Sequence, residues 1–278
     1  MLKLSPSLNV MIGAANKAAR SLRRDFREVE HLQVARKGPG DFVTMADLKA
    51  EKIIQEELAT ARPGYGFIME EKGKIEGGDK THCWVIDPLD GTTNFLHGIP
   101  HFAISIALMR EEKIVSAIVY QPITDELFYA EKGHGAFLSA TTIPKMRLQV
   151  AKRTKLQDAV FACGIPHGVR AGRAEFLTEI DTMLPHIAGL RRFGAAALDL
   201  AWVAAGRVDG FWERGLSAWD MAAGALLVSE AGGLVSDIDN GTAYLQTGTI
   251  IAANESLHPT LLKQLQKQSE PQIKQEAI

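Results

Sequence analysis

The chain predicts an α/β (α+β) fold on three observations: an amphipathic helical stripe near its start, short apolar strands through its first half, and helix patterns alternating with strand patterns in its second. Leu8, Met11, Ala15, Ala18, Leu22, Phe26 and Val29 recur at helical spacing, with Lys17, Arg20, Arg23 and Arg24 at other positions. That is an amphipathic helix, not a signal peptide. Lys37-Gly38-Pro39-Gly40 then marks a loop, and Thr44 with Asp47 three residues later forms a capping-box pattern that opens a second helix, to about Thr60. Ala61-Arg62-Pro63-Gly64 ends it, and residues 66–69 read as a short strand carrying Glu70 and Glu71 at its end. Cys83-Trp84-Val85-Ile86 is continuously apolar and reads as a strand buried on both faces, ended by Pro88. Residues 101–109 and 114–120 form an antiparallel pair, with strands at 127–130 and 136–138 around Gly133-His134-Gly135. The first half is thus helices against an antiparallel sheet.

Between residues 139 and 155 the chain turns polar and basic around Pro144, which reads as a hinge between an α+β half, 1–142, and an α/β half, 143–278. The second half predicts a strand at 159–163, helices at 174–184 and 195–205, a strand at 208–212, a helix at 221–231 and a strand at 250–253. The tail from 263 to 278, rich in Gln, Lys and Glu and containing Pro271, is expected to fray.

With 278 residues, 46% hydrophobic and 23% charged, core size is not limiting. A formal net charge of −2 provides no global basic field for nucleic acid or an anionic membrane. Cys83 and Cys163 are too few for a secreted disulfide framework and read as buried free thiols in a reducing cytosol. No stretch approaches the roughly 18 uninterrupted apolar residues of a membrane span, so a soluble cytoplasmic protein is expected.

Chemistry concentrates in Asp87-Pro88-Leu89-Asp90-Gly91-Thr92-Thr93-Asn94-Phe95. Two carboxylates around a tight turn attract a metal, and Gly91, Thr92 and Thr93 expose N–H groups at a helix start, where an anion is favoured. Oxygen-only ligation suits Mg²⁺ rather than zinc. Clustered carboxylates repel, so such a site must take up protons or cations.

These residues, the Glu70-Glu71 strand end, residues 37–47, Gly194-Ala195-Ala196-Ala197-Leu198-Asp199, Val208-Asp209-Gly210-Phe211-Trp212-Glu213, and Trp219-Asp220 through Glu230-Ala231-Gly232-Gly233 resemble the inositol monophosphatase family over nearly the whole chain, and residues 197–233 look most like its bacterial members. The resemblance implies a layered α-β-α-β-α sandwich, a homodimer, and hydrolysis of phosphate monoesters with two or three Mg²⁺ ions per site. It implies Glu70, Asp87, Asp90, Asp220 and the Leu89 carbonyl as metal ligands. One ion, on Glu70, Asp87 and Leu89, would activate a water that Glu70 and Thr92 orient, with Asp47 accepting from Thr92; a second, on Asp87, Asp90 and Asp220, would stabilise the leaving alkoxide. Asp90, Gly91, Thr92, Thr93, Gly194, Ala195, Ala196, Glu213 and Asp220 would contact substrate. Lithium inhibition is a further implication.

Glu71 and Glu76 read as solvated loop charges, Asp209 as a strand bracket, and Lys145, Arg147, Lys152, Arg153 and Lys155 as a solvated face. Asp47 also suits a plain helix cap, and His97, His101 and His167 suit surface or supporting roles. Thr93-Asn94 follows the inositol-phosphatase form, where relatives acting on sulfur-pathway nucleotides carry Lys-Glu and histidinol-phosphate phosphatases often Arg. Arg191 and Arg192 leave fructose-1,6-bisphosphatase or a broader sugar/polyol phosphatase as an alternative; the resemblance to bacterial members, some of which associate with transcription machinery, implies a regulatory binding protein as another, with the basic stretch at 145–155 as its sequence support.

Overall fold

The apolar stripe near the start forms α1 (Pro6–Arg27), whose first turn is capped by Ser5 Oγ accepting the Leu8 N–H at 3.2 Å. The computed structural model describes residues 4–28, 34–38, 41–166 and 172–266, with only the backbone described at 34–38 and 41–43. Val29, Pro39, Gly40, His167 and the tail from 267 onward lie outside the described residues. After α1 come β1 (Val34–Gly38) and β2 (Asp41–Thr44), an antiparallel pair, and then α2 (Met45–Ala61). Thr44 and Asp47 form the expected capping box at the start of α2.

The next strands are β3 (Gly66–Met69), β4 (Gly73–Ile75) and β5 (His82–Asp90), followed by the short helix α3 (Thr92–Leu96). β6 (Ala103–Arg110), β7 (Lys113–Gln121), β8 (Glu126–Glu131), β9 (Gly135–Ala140) and β10 (Ile143–Arg147) continue the sheet, whose order is β10-β9-β8-β7-β6-β5-β3-β4. Two expectations are corrected here. The sheet is not wholly antiparallel, because β3 and β5 run parallel. Nor does Pro88 end its strand: β5 runs on to Asp90 through a register shift between Asp87 and Asp90, and a bulge spares proline the ladder bond that it cannot donate. The polar stretch at 139–155 contains β10, which pairs with β9.

Beyond it lie β11 (Val160–Cys163), α4 (Arg173–Met183), β12 (Gly189–Arg191), α5 (Ala196–Ala204), β13 (Gly210–Arg214), α6 (Ala218–Glu230), β14 (Gly233–Ser236), α7 (Tyr244–Thr247), β15 (Thr249–Asn254) and α8 (Leu257–Gln266). The second sheet has the order β12-β11-β13-β15-β14. β13 starts two residues later than expected, so Glu213 lies within it, and Asp209 just before it is buried and accepts the Val160 N–H at 2.8 Å. The stretch expected to fray is helical as far as Gln266, because Leu257, Leu261, Leu262 and Leu265 form a buried stripe. The basic face is exposed but partnered: Arg153 pairs with Asp209 at 3.1 Å, and the Lys145 ammonium lies 4.2 Å from the Phe137 ring centroid. Cys163 is buried as expected, whereas Cys83 is only half-buried, and both are free thiols.

Strand alternation sorts the first sheet's side chains onto two faces. Trp84, Ile86, Ile104, Ile106 and Leu108 pack under α1 and α2. Val85, Ala103, Ala107, Ala117 and Val119 face the alanine-rich α5 and α6, which are covered on their other side by Phe211 and Ala252 of the second sheet. Phe161, Trp212 and Ile251 then pack on α4 and α8. The result is the five-layer α-β-α-β-α sandwich. Small side chains let the middle helices pack closely: a Cβ placed on Gly224 of α6 would lie 2.4 Å from Leu200 Cβ of α5.

That contact decides the sign of a substitution. Glycine-to-alanine in a helix interior ordinarily stabilises by about 0.5–1 kcal/mol, but overpacking a core costs about 1–3 kcal/mol. Gly224→Ala should therefore lower stability, measured as a lower urea midpoint with unchanged slope.

Candidate active site

Sheet register brings the first two acids together. Met69 pairs with Ile86 in the parallel β3–β5 ladder, so the next residues, Glu70 and Asp87, emerge side by side, and the Glu70 N–H donates to the Ile86 carbonyl at 3.3 Å. Asp87 is buried, with Oδ1 accepting the Leu89 N–H at 2.9 Å. Opposite it in the β5–β6 ladder stands Ser105, whose Oγ donates to the Trp219 carbonyl at 3.2 Å and so ties the start of α6 to the acidic strand end.

Helix starts hold the other acids. Asp220 Oδ2 accepts the Ser217 N–H at 2.7 Å, the return half of a capping box on α6. Asp90 Oδ2 accepts the Ala197 N–H at 2.7 Å in the first turn of α5. Asp47 makes two contacts: Oδ2 accepts the Thr44 N–H at 2.8 Å in the cap, while Oδ1 accepts from Thr92 Oγ1 at 3.1 Å. Thr92 Oγ1 also lies 3.1 Å from the Leu89 carbonyl oxygen. Gly91 caps α3 with φ 95°, and a Cβ there would lie 3.1 Å from the His101 carbonyl and 3.2 Å from Ala195 Cβ, so both conformation and space require glycine. Thr93 follows, half-buried, in the first turn of α3.

The electrostatics record this crowding. Burial, then the charges of Glu70, Asp90 and Asp220, push the Asp87 carboxyl well above its ordinary range. Burial and Asp220 do the same to Asp90, with further contributions from Asp199 and Glu213. Asp47 is raised to about 6, chiefly by burial and against the hydrogen bonds from Thr44. Five sequence-predicted acids, Glu70, Asp87, Asp90, Asp220 and Glu213, thus share one field.

Among the described residues, no group of three Asp, Glu, His or Cys side chains already stands at ligating geometry. Asp87, Asp90 and Asp220 instead each have one oxygen on a backbone N–H. The chemistry still fits a hard cation: the donors are oxygens, and two carboxyls are raised by burial and then by their neighbours' charge, the second of which a cation would offset. Burial pushes the thiols of Cys83 and Cys163 up to about 11 and about 12, which rules against a nucleophilic cysteine at neutral pH.

Gly194 and Ala195 lead into α5, which starts at Ala196, and Ala195 lies beside Gly91. Glu213 lies over Gly164, where an added Cβ would fall 1.8 Å from its Cδ. His97 is exposed, and Glu76 pairs with Lys74 and Lys80 at the surface. Glu71 is half-buried, and its N–H donates to Glu51 Oε2 at 2.8 Å.

Glu51 and Gly164 are not singled out by the sequence, and Asn94 and Asp199 stand there only within motifs, with no contact of their own assigned. Glu51 and Asp47 share the α2 face that buries Ile54 and Leu58, and acids on an apolar face were the available signal. Asn94 Nδ2 donates to the His101 carbonyl at 2.7 Å and the Phe193 carbonyl at 2.8 Å, joining α3 to the segment before α5. No local pattern reveals that bridge.

The inositol monophosphatase family model matches residues 3–270. The inositol-1-monophosphatase of Mesorhizobium japonicum is 57% identical, covering 95% of this chain and 97% of its own. The Nus factor SuhB of Vibrio cholerae is 44% identical over 90% of this chain and 92% of its own. The crystal structure of extragenic suppressor protein suhB from Bartonella henselae superposes with a TM-score of 0.90 at 53% identity, covering 95% of this chain and 99% of that one. With the fold, the strand-end acids and these likenesses in agreement, the chain belongs to the inositol monophosphatase family of phosphatases.

Proposed function

We propose that the chain hydrolyses a phosphate monoester of a polyol, inositol 1-phosphate before others, in a magnesium-dependent reaction. The observation that supports this most is the shared field of Glu70, Asp87, Asp90 and Asp220 beside the Thr92–Asp47 hydrogen bond. Glu70, Asp87, Asp90, Asp220 and the Leu89 carbonyl would hold the ions. When bound, magnesium supplies Lewis acidity, which acidifies water and offsets charge on the leaving oxygen.

The remaining steps belong to the chain's own groups. Thr92 Oγ1, donating to Asp47, keeps lone pairs available to accept a hydrogen bond from the attacking water, and Glu70 aligns that water from the neighbouring strand end. The N–H groups of Gly91 and Thr92 at the start of α3 would donate to phosphate oxygens, which stay negative throughout and need fixed donors. Glu213, with Gly194, Ala195 and Ala196, would receive the hydroxyls of the alcohol. A homodimeric, cytoplasmic protein sensitive to lithium is part of the same reading.

A second reading is supported by the relative named Nus factor SuhB: association with transcription machinery independent of turnover. Pull-down with Asp87→Asn separates the two, since partners captured without activity support the binding role.

Phosphate release from inositol 1-phosphate, fructose 1,6-bisphosphate, glycerol phosphate and nucleotide monophosphates under magnesium titration should show inositol 1-phosphate with the highest kcat/KM. Asp87→Asn should reduce turnover by about 100-fold or more while the metal-free protein stays as stable as the parent or becomes more so, because a repelled buried charge is gone. Near-normal activity in that variant would refute the assignment.

Gly164→Ala should displace Glu213 and raise KM for inositol 1-phosphate by about 10-fold or more, on the scale of one hydrogen bond to a charged group, with a smaller effect on an aryl phosphate lacking the polyol. The pH dependence has a definite sign. The folded-state pKa values of Asp47, Asp87 and Asp90 are raised, so the folded chain binds protons more readily than the unfolded one. Their contribution to metal-free stability is complete below pH 3.8 and declines as pH rises through about 6 for Asp47 and through the raised values of Asp87 and Asp90. Urea midpoints of metal-free protein should fall over that rise in pH, and saturating magnesium should flatten the dependence.

A further inference from the structure

Asp199 is 1% exposed and sits on α5 among Ala197, Leu198, Leu200 and Ala201, all equally buried. Its Oδ1 faces His101 Nε2 at 3.5 Å, close enough for an electrostatic contact, and neither atom makes a hydrogen bond among the described residues. The imidazole is fixed on two more sides: it stacks on Phe193 at 5.1 Å between centroids and meets Trp202 edge-on at 5.1 Å. His101 and Phe193 are also the two residues whose carbonyls Asn94 holds. The pair therefore closes a circuit from α3 through the loop before β6 and the segment before α5, back to the turn whose Ala197 N–H binds Asp90.

A buried carboxylate is a costly way to stabilise a helix start that apolar packing already covers. Its position points to another role. We propose that His101 and Asp199 are positioning residues: the pair locks the first turn of α5 against the 97–102 loop, keeping the Ala197 N–H on Asp90 and Ala195 against Gly91. Asp90 is thereby held in one orientation before any cation arrives. Burial raises the Asp199 carboxyl, while His101 and Arg192 oppose that rise, and its charge reaches Asp90. The inference rests on the magnesium-dependent phosphatase reading for its kinetic arm only.

Two measurements on the full-length protein test it: hydrogen exchange of the Ala197 amide by NMR without metal, and the magnesium concentration giving half-maximal turnover. Asp199→Asn preserves shape and removes the charge. It should speed Ala197 exchange and raise the magnesium half-saturation, each by about 10-fold, with kcat at saturating magnesium within about threefold of the parent and core amides such as Ile106 unchanged. His101→Phe should behave alike, His101→Gln should recover part of the loss through its remaining N–H donor, and the H101F/D199N double variant should be no worse than the worse single one. Parent-like exchange at Ala197 and parent-like half-saturation in Asp199→Asn would overturn the proposal, as would uniform acceleration of all core amides, which marks a stability role alone. If Asp199→Asn fails to fold, the two His101 variants decide by the same criteria. A parent protein without phosphatase activity would remove the functional reading, and the Ala197 exchange would still judge the pair.

Discussion

Repulsion among buried carboxylates is the constraint on which the rest of this structure depends. Asp87 and Asp90 lie in a region poor in water beside Glu70 and Asp220, an arrangement that folding alone disfavours. What counteracts it is the placement of helix starts. α2, α5 and α6 each direct first-turn N–H groups or a capping box toward one of these acids or toward Asp47, and the positive end of a helix dipole favours negative charge by about 0.3–1 kcal/mol at each terminus. The layers can be understood as a frame that holds several helix N-termini around one point.

Such convergence demands close approach of the middle helices. Alanines line the face of the first sheet that meets α5 and α6, and Gly224 lies directly against Leu200. Larger residues there would push α6 outward and move Asp220 away from Asp87. The interior is therefore unequal, with tryptophan, isoleucine and leucine under α1 and α2 and small residues next to the site. Core composition, usually a matter of stability, here sets the spacing of charged groups.

Much of this was legible in the chain itself. The Asp87 to Phe95 stretch announces its turn, its glycine and its helix start by local chemistry, and the Thr44–Asp47 cap is equally local. Local signals failed where tertiary contacts decide. Pro88 looks like a strand end unless the bulge is known. β4 and β12 are three residues long and carry no usable period, and the leucine stripe of α8 was hidden by the polar composition around it. Glu51, Asn94 and Asp199 gain meaning only from partners on other elements. A single chain displays the acids that meet a ligand more readily than the groups that hold those acids still.

The parallel pairing of β3 with β5 has a consequence for how this centre could be altered. β4 turns back along β3, so that β5 can set out from the same end of the sheet. Had the chain entered β5 directly by a hairpin, Glu70 and Asp87 would finish beyond opposite ends of the paired segment, about 17 Å apart at roughly 3.3 Å per residue step. The segment between Ile75 and His82 is thus a spacer. Its length is free to vary at the surface, because a one-residue slip of β5 would turn Trp84 and Ile86 to the face that holds Val85; the two packed faces, and not the loop, fix Glu70 beside Asp87.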